Sequence, residues 1–203
     1  MKKYHGAFIK NEREVACLRE ANRMVANILD AVGAMAVPGV PTMRLEELAR
    51  DMCADYKVKP AFLGYCGYPF ALCCSVNEQV VHGFPSDRVL QEGDIVSADM
   101  GVVFEGFVGD AARTFPVGTV SEDVHKLLKV TEESLYVGIE QARAGNDVYS
   151  IGGAGLCGGR RLQRGAPFCG ARRGFAHARK ARGAQFSPRY EGPDPAERHG
   201  HRH

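Results

Sequence analysis

The chain has 203 residues, 45% of them hydrophobic, and its 26 Lys and Arg against 24 Asp and Glu give a net charge of +2. This length is sufficient for one domain with a substantial core, no apolar run reaches the length of a membrane span, and the N-terminus lacks a signal-peptide core. Seven Cys, an odd number without paired spacing, favour a reduced, cytoplasmic protein over a disulfide framework.

Two helices are predicted first along the chain. Asn11 with Glu14 three residues later is typical of a capping box, and apolar residues follow at helical spacing as far as Val32. The Pro-Gly-Val-Pro stretch at 38–41 is expected to end this helix. We expect Thr42 to cap the second helix.

Short β-type runs follow, separated by turn residues. They cover residues 71–76, 80–82, 95–103 and 107–117. Ser121 is then expected to cap a third helix and Gly145 to end it. Helices that flank an antiparallel hairpin sheet predict an α+β fold.

Residues 155–203 differ in composition from all that precedes them. They carry 11 Lys and Arg against 3 Asp and Glu, whereas residues 1–154 carry 15 against 21, and they contain no Val, Ile or Met. The segment lacks both helical and strand periodicity, so it is predicted to be disordered. The chain therefore divides into a domain at 1–154 and a basic tail at 155–203.

Asp99 and Asp110 occupy two neighbouring predicted strands that are otherwise largely apolar. If residues 103–106 form the turn, the two Asp lie directly opposite each other, and moving the turn by one residue makes them diagonal. Both registers place the side chains on the same face. Close ionised carboxylates repel, so the pair either shares a proton or binds a cation, for which a hard divalent ion is suited. The alternative is that both are turn or surface residues, as expected for Asp94.

Other candidate ligands are less specific. His82 ends the run at 80–82, where a lone His is more often structural than catalytic. Cys66, Cys73 and Cys74 precede it, but their irregular gaps do not match zinc-finger spacing. We expect these Cys to line the core or a pocket.

Five stretches within residues 8–154 resemble type I methionine aminopeptidase: LGYCGYP at 63–69, SVNEQVVHG at 75–83, EGDIVS at 92–97, GDAARTF at 109–115 and TEESLY at 131–136. The resemblance implies a pita-bread fold, of which this chain holds the N-terminal part. It also implies a metal-dependent aminopeptidase that removes the initiator methionine when the second residue is small. The implied cofactors are two divalent ions of Co, Mn, Fe or Zn.

The same resemblance implies roles for individual residues. Asp99 becomes a ligand of one metal and Asp110 a bridge between both, and the ions lower the pKa of the attacking water. His82 matches the catalytic histidine that contacts the substrate. The pocket for the methionine side chain is implied at Phe62, Tyr65, Tyr68 and Cys73, with Phe62 replacing a smaller residue. The implied partners are the N-termini of nascent polypeptides at the ribosome, for a monomer that binds neither DNA nor membranes.

The family also needs a His and two Glu as metal ligands, in His-Gly-(Ile/Val)-Gly, Ile-Glu-Pro and a final Glu segment. None of these motifs is present, and His177, His199, His201 and His203 stand in other contexts. The sequence therefore predicts that this chain is inactive.

A shift of reading frame accounts for the missing motifs. When residues 155–203 are read back into codons and shifted by one base, family segments become possible throughout, including a His codon across Ala171 and Arg172. We interpret the tail as family sequence in the wrong frame, with the change near Ala154 and Gly155.

Two other hypotheses remain. The chain could be a degenerate, non-catalytic peptidase fold whose Arg-rich tail binds RNA or the ribosome, since basic arms bind phosphates. It could also be a proline-specific or creatine-type hydrolase of the same fold. The motifs around Tyr65, His82 and Asp110 argue against this last reading.

Overall fold

The structure is a computed structural model that describes residues 2–4, 7–147, 149 and 151. The described residues fall into two compact units, of which the first ends at Val120 and the second begins at Ser121. The predicted boundary between 154 and 155, and the whole tail, lie outside the described residues. No helix of the described part is long and apolar enough to cross a membrane.

The first unit holds the following elements in chain order: β1 (Lys2–Tyr4), β2 (Ala7–Ile9), α1 (Glu12–Met35), α2 (Thr42–Asp55), β3 (Lys59–Pro60), a short 3-10 turn (Tyr65–Gly67), β4 (Leu72–Val76), β5 (Ile95–Phe104) and β6 (Phe107–Pro116). The second unit contains α3 (Glu122–Gln141). The predicted α+β class is confirmed, because helices pack on an antiparallel sheet.

Strand β5 is the centre of the sheet. Strand β6 pairs along its whole length, while β4 pairs with residues 96–100 and β3 with residues 102–103, all antiparallel. The β5–β6 hairpin turns at Glu105 and Gly106, whose φ angles of 50° and 77° give the positive-φ turn that matches the twist of paired strands. This turn sets the register of both carboxylates.

Alternation along β5 divides the sheet into two faces. Val96, Ala98, Met100 and Val102 are each 0% exposed and belong to the hydrophobic core that α1 and α2 build with the sheet. The odd-numbered residues of β5 point the other way. We call this second side, which carries Cys73, Ser97, Asp99, Asp110 and Thr114, the polar face.

The predicted N-caps of α1 and α3 are confirmed, and the predicted N-cap of α2 is wrong. The Asn11 side chain accepts the Glu14 amide at 2.9 Å and the Glu14 carboxylate accepts the Asn11 amide at 2.9 Å, which completes the capping box of α1. Ser121 caps α3 through a 3.4 Å bond from the Val124 amide. Thr42, however, is the first helical residue of α2, because its hydroxyl is engaged by the Ser86 carbonyl and amide at 3.0 and 2.9 Å.

The run at 80–82 is not a strand. It forms part of a loop in which Val80 is 82% exposed and Val81 62% exposed, so the apolar residues that suggested a strand face solvent. The predicted stop of α3 is also displaced. The helix ends at Gln141, and Gly145, with φ of 95°, lies in the turn beyond it.

Candidate metal centre

Asp99 on β5 and Asp110 on β6 lie diagonally on the polar face. Asp99 pairs with Ala112 and Asp110 pairs with Gly101, which is the diagonal one of the two predicted registers. Gly109 lets α1 approach the hairpin beside Asp110, since a Cβ at Gly109 would lie 2.5 Å from the backbone of Ala21. The Asp110 amide also donates to the Asn22 side chain at 3.2 Å, which fixes the β6 backbone against α1.

The electrostatics of the pair favour a cation between the two carboxylates. Burial raises the pKa of Asp99, and the charge of Asp110 raises it further, while the nearby His82 acts in the opposite direction. Partial burial of the carboxyl raises the pKa of Asp110, although that residue as a whole is exposed. Among the described residues, neither carboxylate has an ion-pair partner in Lys or Arg. Within the described residues, the charge repulsion in the pair is therefore offset by His82 alone and not by a Lys or Arg.

The donor set fits a hard divalent ion as a partial site. Two carboxylates supply the oxygen ligands and the negative charge that such ions prefer. Within the described ranges, no group of three or more His, Cys, Asp or Glu side chains comes together as a potential metal site. Asp99 and Asp110 are therefore two oxygen donors that the described part of the chain places on one face, without a third potential ligand beside them.

Cys73 lies beside Asp99, and Tyr68 lies next to Cys73. Cys73 on β4 is the register partner of Asp99 and is 3% exposed. The Tyr68 hydroxyl lies 3.1 Å from the carbonyl oxygens of Leu72 and Gly83. Burial raises the pKa of both the Cys73 thiol and the Tyr68 hydroxyl. Both groups therefore stay neutral and give the site an uncharged wall.

The other two predicted pocket residues differ in placement. Gly101 is the register partner of Asp110, and a Cβ on Gly101 would lie 3.3 Å from the Phe62 ring. Phe62 therefore covers Gly101 beside Asp110. Tyr65 lies on the 3-10 turn with 63% of its surface exposed. The structure thus brings Phe62, together with Tyr68 and Cys73, to the surroundings of the pair and leaves Tyr65 open to solvent.

Aromatic residues that the sequence did not single out extend the wall. Phe70 and Phe84 pack edge-to-face with Tyr68 at centroid distances of 6.1 and 5.3 Å, and with each other at 5.5 Å. These contacts join the segment before β4 to the loop that follows it. Scattered Phe residues in two loops carry no periodicity, so the sequence offers no pattern from which this cluster follows.

Asp94, which was expected to be a turn or surface residue, closes the turn that begins at Gln91, since its amide donates to the Gln91 carbonyl at 3.1 Å, but it is buried and not on the surface. It is 8% exposed and accepts hydrogen bonds from the Asn77 side chain at 2.7 Å and from the Gln91 amide at 3.0 Å. Burial by itself raises the pKa of Asp94, but these hydrogen bonds and the charge of Arg88 together lower it. Asp94 is an ionised structural residue that joins two loops.

Glu46 was not predicted and holds the segment that leads into β4. Its carboxylate is 2% exposed and accepts the amides of Ala71 and Leu72 at 2.8 Å each. Arg50 donates to Glu46 at 2.5 Å and also to the Pro69 carbonyl at 3.1 Å. Helix α2 therefore fixes the backbone between Tyr68 and Cys73.

Replacing Glu46 by Ala is expected to lower the free energy of unfolding by about 3 kcal/mol, because two buried amides lose their acceptor and Arg50 loses its partner. Urea unfolding followed by circular dichroism measures this. The matched control is Glu47→Ala, which removes an exposed ion pair with Arg44 on the same helix and should cost about 0.5 kcal/mol or less. Equal losses in both variants would contradict the role given to Glu46.

Comparison with known proteins agrees with a metal-dependent protein, as the fold and the carboxylate pair indicate. The model of metallopeptidase family M24 matches residues 16–155. The chain belongs to this family, and divalent metal use is a property of the family. The fold is the pita-bread fold, which the chain shares with Escherichia coli aminopeptidase P at a TM-score of 0.64, 22% identity and coverage of 72% of this chain and 32% of that chain.

The more similar relatives are methionine aminopeptidases. The chain is 46% identical to that of Clostridium acetobutylicum over 144 residues, which cover 70% of this chain and 58% of the relative. It is 43% identical to methionine aminopeptidase 1 of Bacillus subtilis over 142 residues, covering 70% and 57%. The crystal structure of the Thermotoga maritima enzyme matches with a TM-score of 0.66 and 42% identity, covering 67% of this chain and 55% of that one. The chain thus spans rather more than half the length of these relatives.

Proposed function

We propose that this chain is the N-terminal part of a methionine aminopeptidase. The observation that carries the proposal is the placement of Asp99 and Asp110 on one polar face beside Cys73, in a chain that is 46% identical to a methionine aminopeptidase. The substrate is the N-terminal methionine of nascent polypeptides whose second residue is small. The protein acts in the cytoplasm as a monomer, at or near the ribosome, and uses neither DNA nor membranes.

Each residue has a defined task in this proposal. Asp99 would hold one of two divalent ions, of Co, Mn, Fe or Zn, and Asp110 would be a ligand of both. The ions, when bound, acidify the water that attacks the scissile carbonyl. His82 contacts the substrate next to the carboxylates. The methionine side chain is received by Phe62, Tyr65, Tyr68 and Cys73, where neutral and aromatic groups suit an apolar thioether.

A chimera tests the proposed function. Residues 1–154 are fused to the part of the Clostridium acetobutylicum enzyme that this chain does not span. With Mn²⁺ or Co²⁺, the chimera is expected to release methionine from a Met-Ala peptide, because the remaining ligands are restored. The same chimera with Asp110→Asn should be inactive. A folded chimera without activity, beside an active Clostridium acetobutylicum enzyme, would refute the proposal, and so would full activity of the Asn variant.

A further inference from the structure

The loop that carries His82 is fastened at its start. Asn77 has a φ of 55° and lies directly after β4. Its amide donates to the Ile95 carbonyl at 3.0 Å, and its side-chain oxygen accepts the Ile95 amide at 3.0 Å. The side-chain nitrogen donates to Asp94 at 2.7 Å. The first residue of the loop is therefore tied to the start of β5.

The loop is also fastened at its end, where Gly83 returns to β4. The Gly83 carbonyl accepts the Cys74 amide at 2.8 Å, and the Gly83 amide donates to the Ser75 hydroxyl at 3.0 Å. The approach is so close that a Cβ on Gly83 would lie 2.4 Å from the Cys74 carbonyl oxygen. Gly83 is thus held against the strand that also carries Cys73.

Between these two points Gln79 is bound to Val76, through its amide at 3.2 Å and its side-chain oxygen at 2.9 Å, and residues 80–82 follow outside any helix or strand. Val80, Val81 and His82 are exposed, and His82 has a φ of 58°, which a residue other than Gly rarely adopts. Such a conformation persists only where neighbouring contacts enforce it. The neighbour on the C-terminal side is Gly83, so the contacts of Gly83 decide where the imidazole stands relative to Asp99.

We infer that Ser75 is a positioning residue, whose hydroxyl holds the Gly83 amide and thereby keeps His82 beside the Asp99 and Asp110 pair. Ser75 is 3% exposed, so water cannot readily replace its hydroxyl as the acceptor of the Gly83 amide. The inference rests on the proposed function, since it assumes that a divalent ion binds to the pair. Loss of the hydroxyl removes one of the contacts that hold Gly83, while the Cys74 amide stays bound to the Gly83 carbonyl. We expect the loosened Gly83 amide to move His82, while the carboxylates on β5 and β6 stay in place.

The test uses the complete 203-residue chain and Mn²⁺ alone as the probe. Bound Mn²⁺ broadens proton resonances steeply with decreasing distance, so the ring protons of His82 and the β-protons of Cys73 both report on the ion. In Ser75→Ala we expect unchanged broadening at Cys73 and a roughly two-fold smaller effect at His82. Paramagnetic broadening falls with the inverse sixth power of the distance, so a displacement of about 1 Å, of the size that disturbs a catalytic site, is sufficient. Ser75→Thr retains a hydroxyl and should keep the parent pattern.

The matched control is Ser97→Ala. Ser97 is the register partner of Ser75, but its hydroxyl bonds to Thr114 at 2.8 Å and not to the loop. This variant should leave both resonances as in the parent chain. Unchanged broadening of His82 in Ser75→Ala, or an equal loss in Ser97→Ala, would overturn the inference.

Failure of the metal site itself gives a different result. If Mn²⁺ broadens neither residue in the parent chain, the proposed function loses its metal centre. In that case the hydrogen-exchange rate of the Gly83 amide tests the role of Ser75 without a metal ion. Faster exchange in Ser75→Ala than in Ser97→Ala supports the fastening of the loop, whereas equal protection in the two variants overturns it.

Discussion

The purified 203-residue chain is expected to release no methionine from a Met-Ala peptide at any concentration of Mn²⁺ or Co²⁺. The described residues bring together two carboxylates and no group of three potential ligands. The motifs that would provide a His and two Glu are missing from the sequence. Enzymes accelerate their reactions by roughly 10⁶-fold or more, so loss of the metal centre places turnover below detection.

Mass spectrometry of the free methionine provides the measurement, with the Clostridium acetobutylicum enzyme as the positive control. Metal-dependent release by the chain, abolished in Asp110→Asn, would contradict the expectation. It would show that other residues complete the site. Sequencing of the DNA across codons 150–160 bears on the same point, because an intact single frame there would remove the explanation by a frame shift.

The second large effect is expected from Asp99→Asn. In the absence of metal this variant should be more stable than the parent chain, since one of two repelling carboxylates becomes neutral. With a divalent ion at about 100 times its dissociation constant, the parent should gain about 2.7 kcal/mol and the variant very little. The two chains therefore exchange their order of stability when metal is added.

Thermal unfolding with and without Mn²⁺ measures this exchange. Asp87→Asn is the control, because Asp87 is an exposed acid in the loop between β4 and β5. It should behave as the parent chain in both conditions. An Asp99→Asn variant that is less stable than the parent without metal, or equally stabilised by Mn²⁺, would contradict a cation site between the carboxylates.

Features with a local cause were predictable from the sequence. The capping box at Asn11 and Glu14 depends on residues three apart, and the β5–β6 hairpin depends on the turn at Glu105 and Gly106. Once the hairpin was recognised, the common face of Asp99 and Asp110 followed from the two-residue period of strands. The choice between opposite and diagonal registers required the position of the turn.

Features that depend on contacts between distant residues were not predictable. Thr42 carries the residue type of a cap, yet its hydroxyl is occupied by Ser86, which is 44 positions away. The residue type of Glu46 is typical of an exposed helix face, but its carboxylate is buried because it accepts the amides of Ala71 and Leu72 at the start of β4. The run at 80–82 has strand composition, but it lies in a loop. Gly83, which follows it, is the residue that hydrogen-bonds to β4, at the Cys74 amide and the Ser75 hydroxyl. In each case a tertiary contact overrides the local pattern.

Calorimetric titration with Mn²⁺ of the parent chain and of Asp110→Asn tests the central claim, that the Asp99 and Asp110 pair is a divalent metal site. The parent should show saturable binding that depends on both carboxylates, although weakly, because two oxygen donors leave most of the coordination sphere to water. Asp110→Asn should show no saturable heat. Equal binding in the two proteins, or no binding in either, would contradict the assignment of this pair as the metal centre.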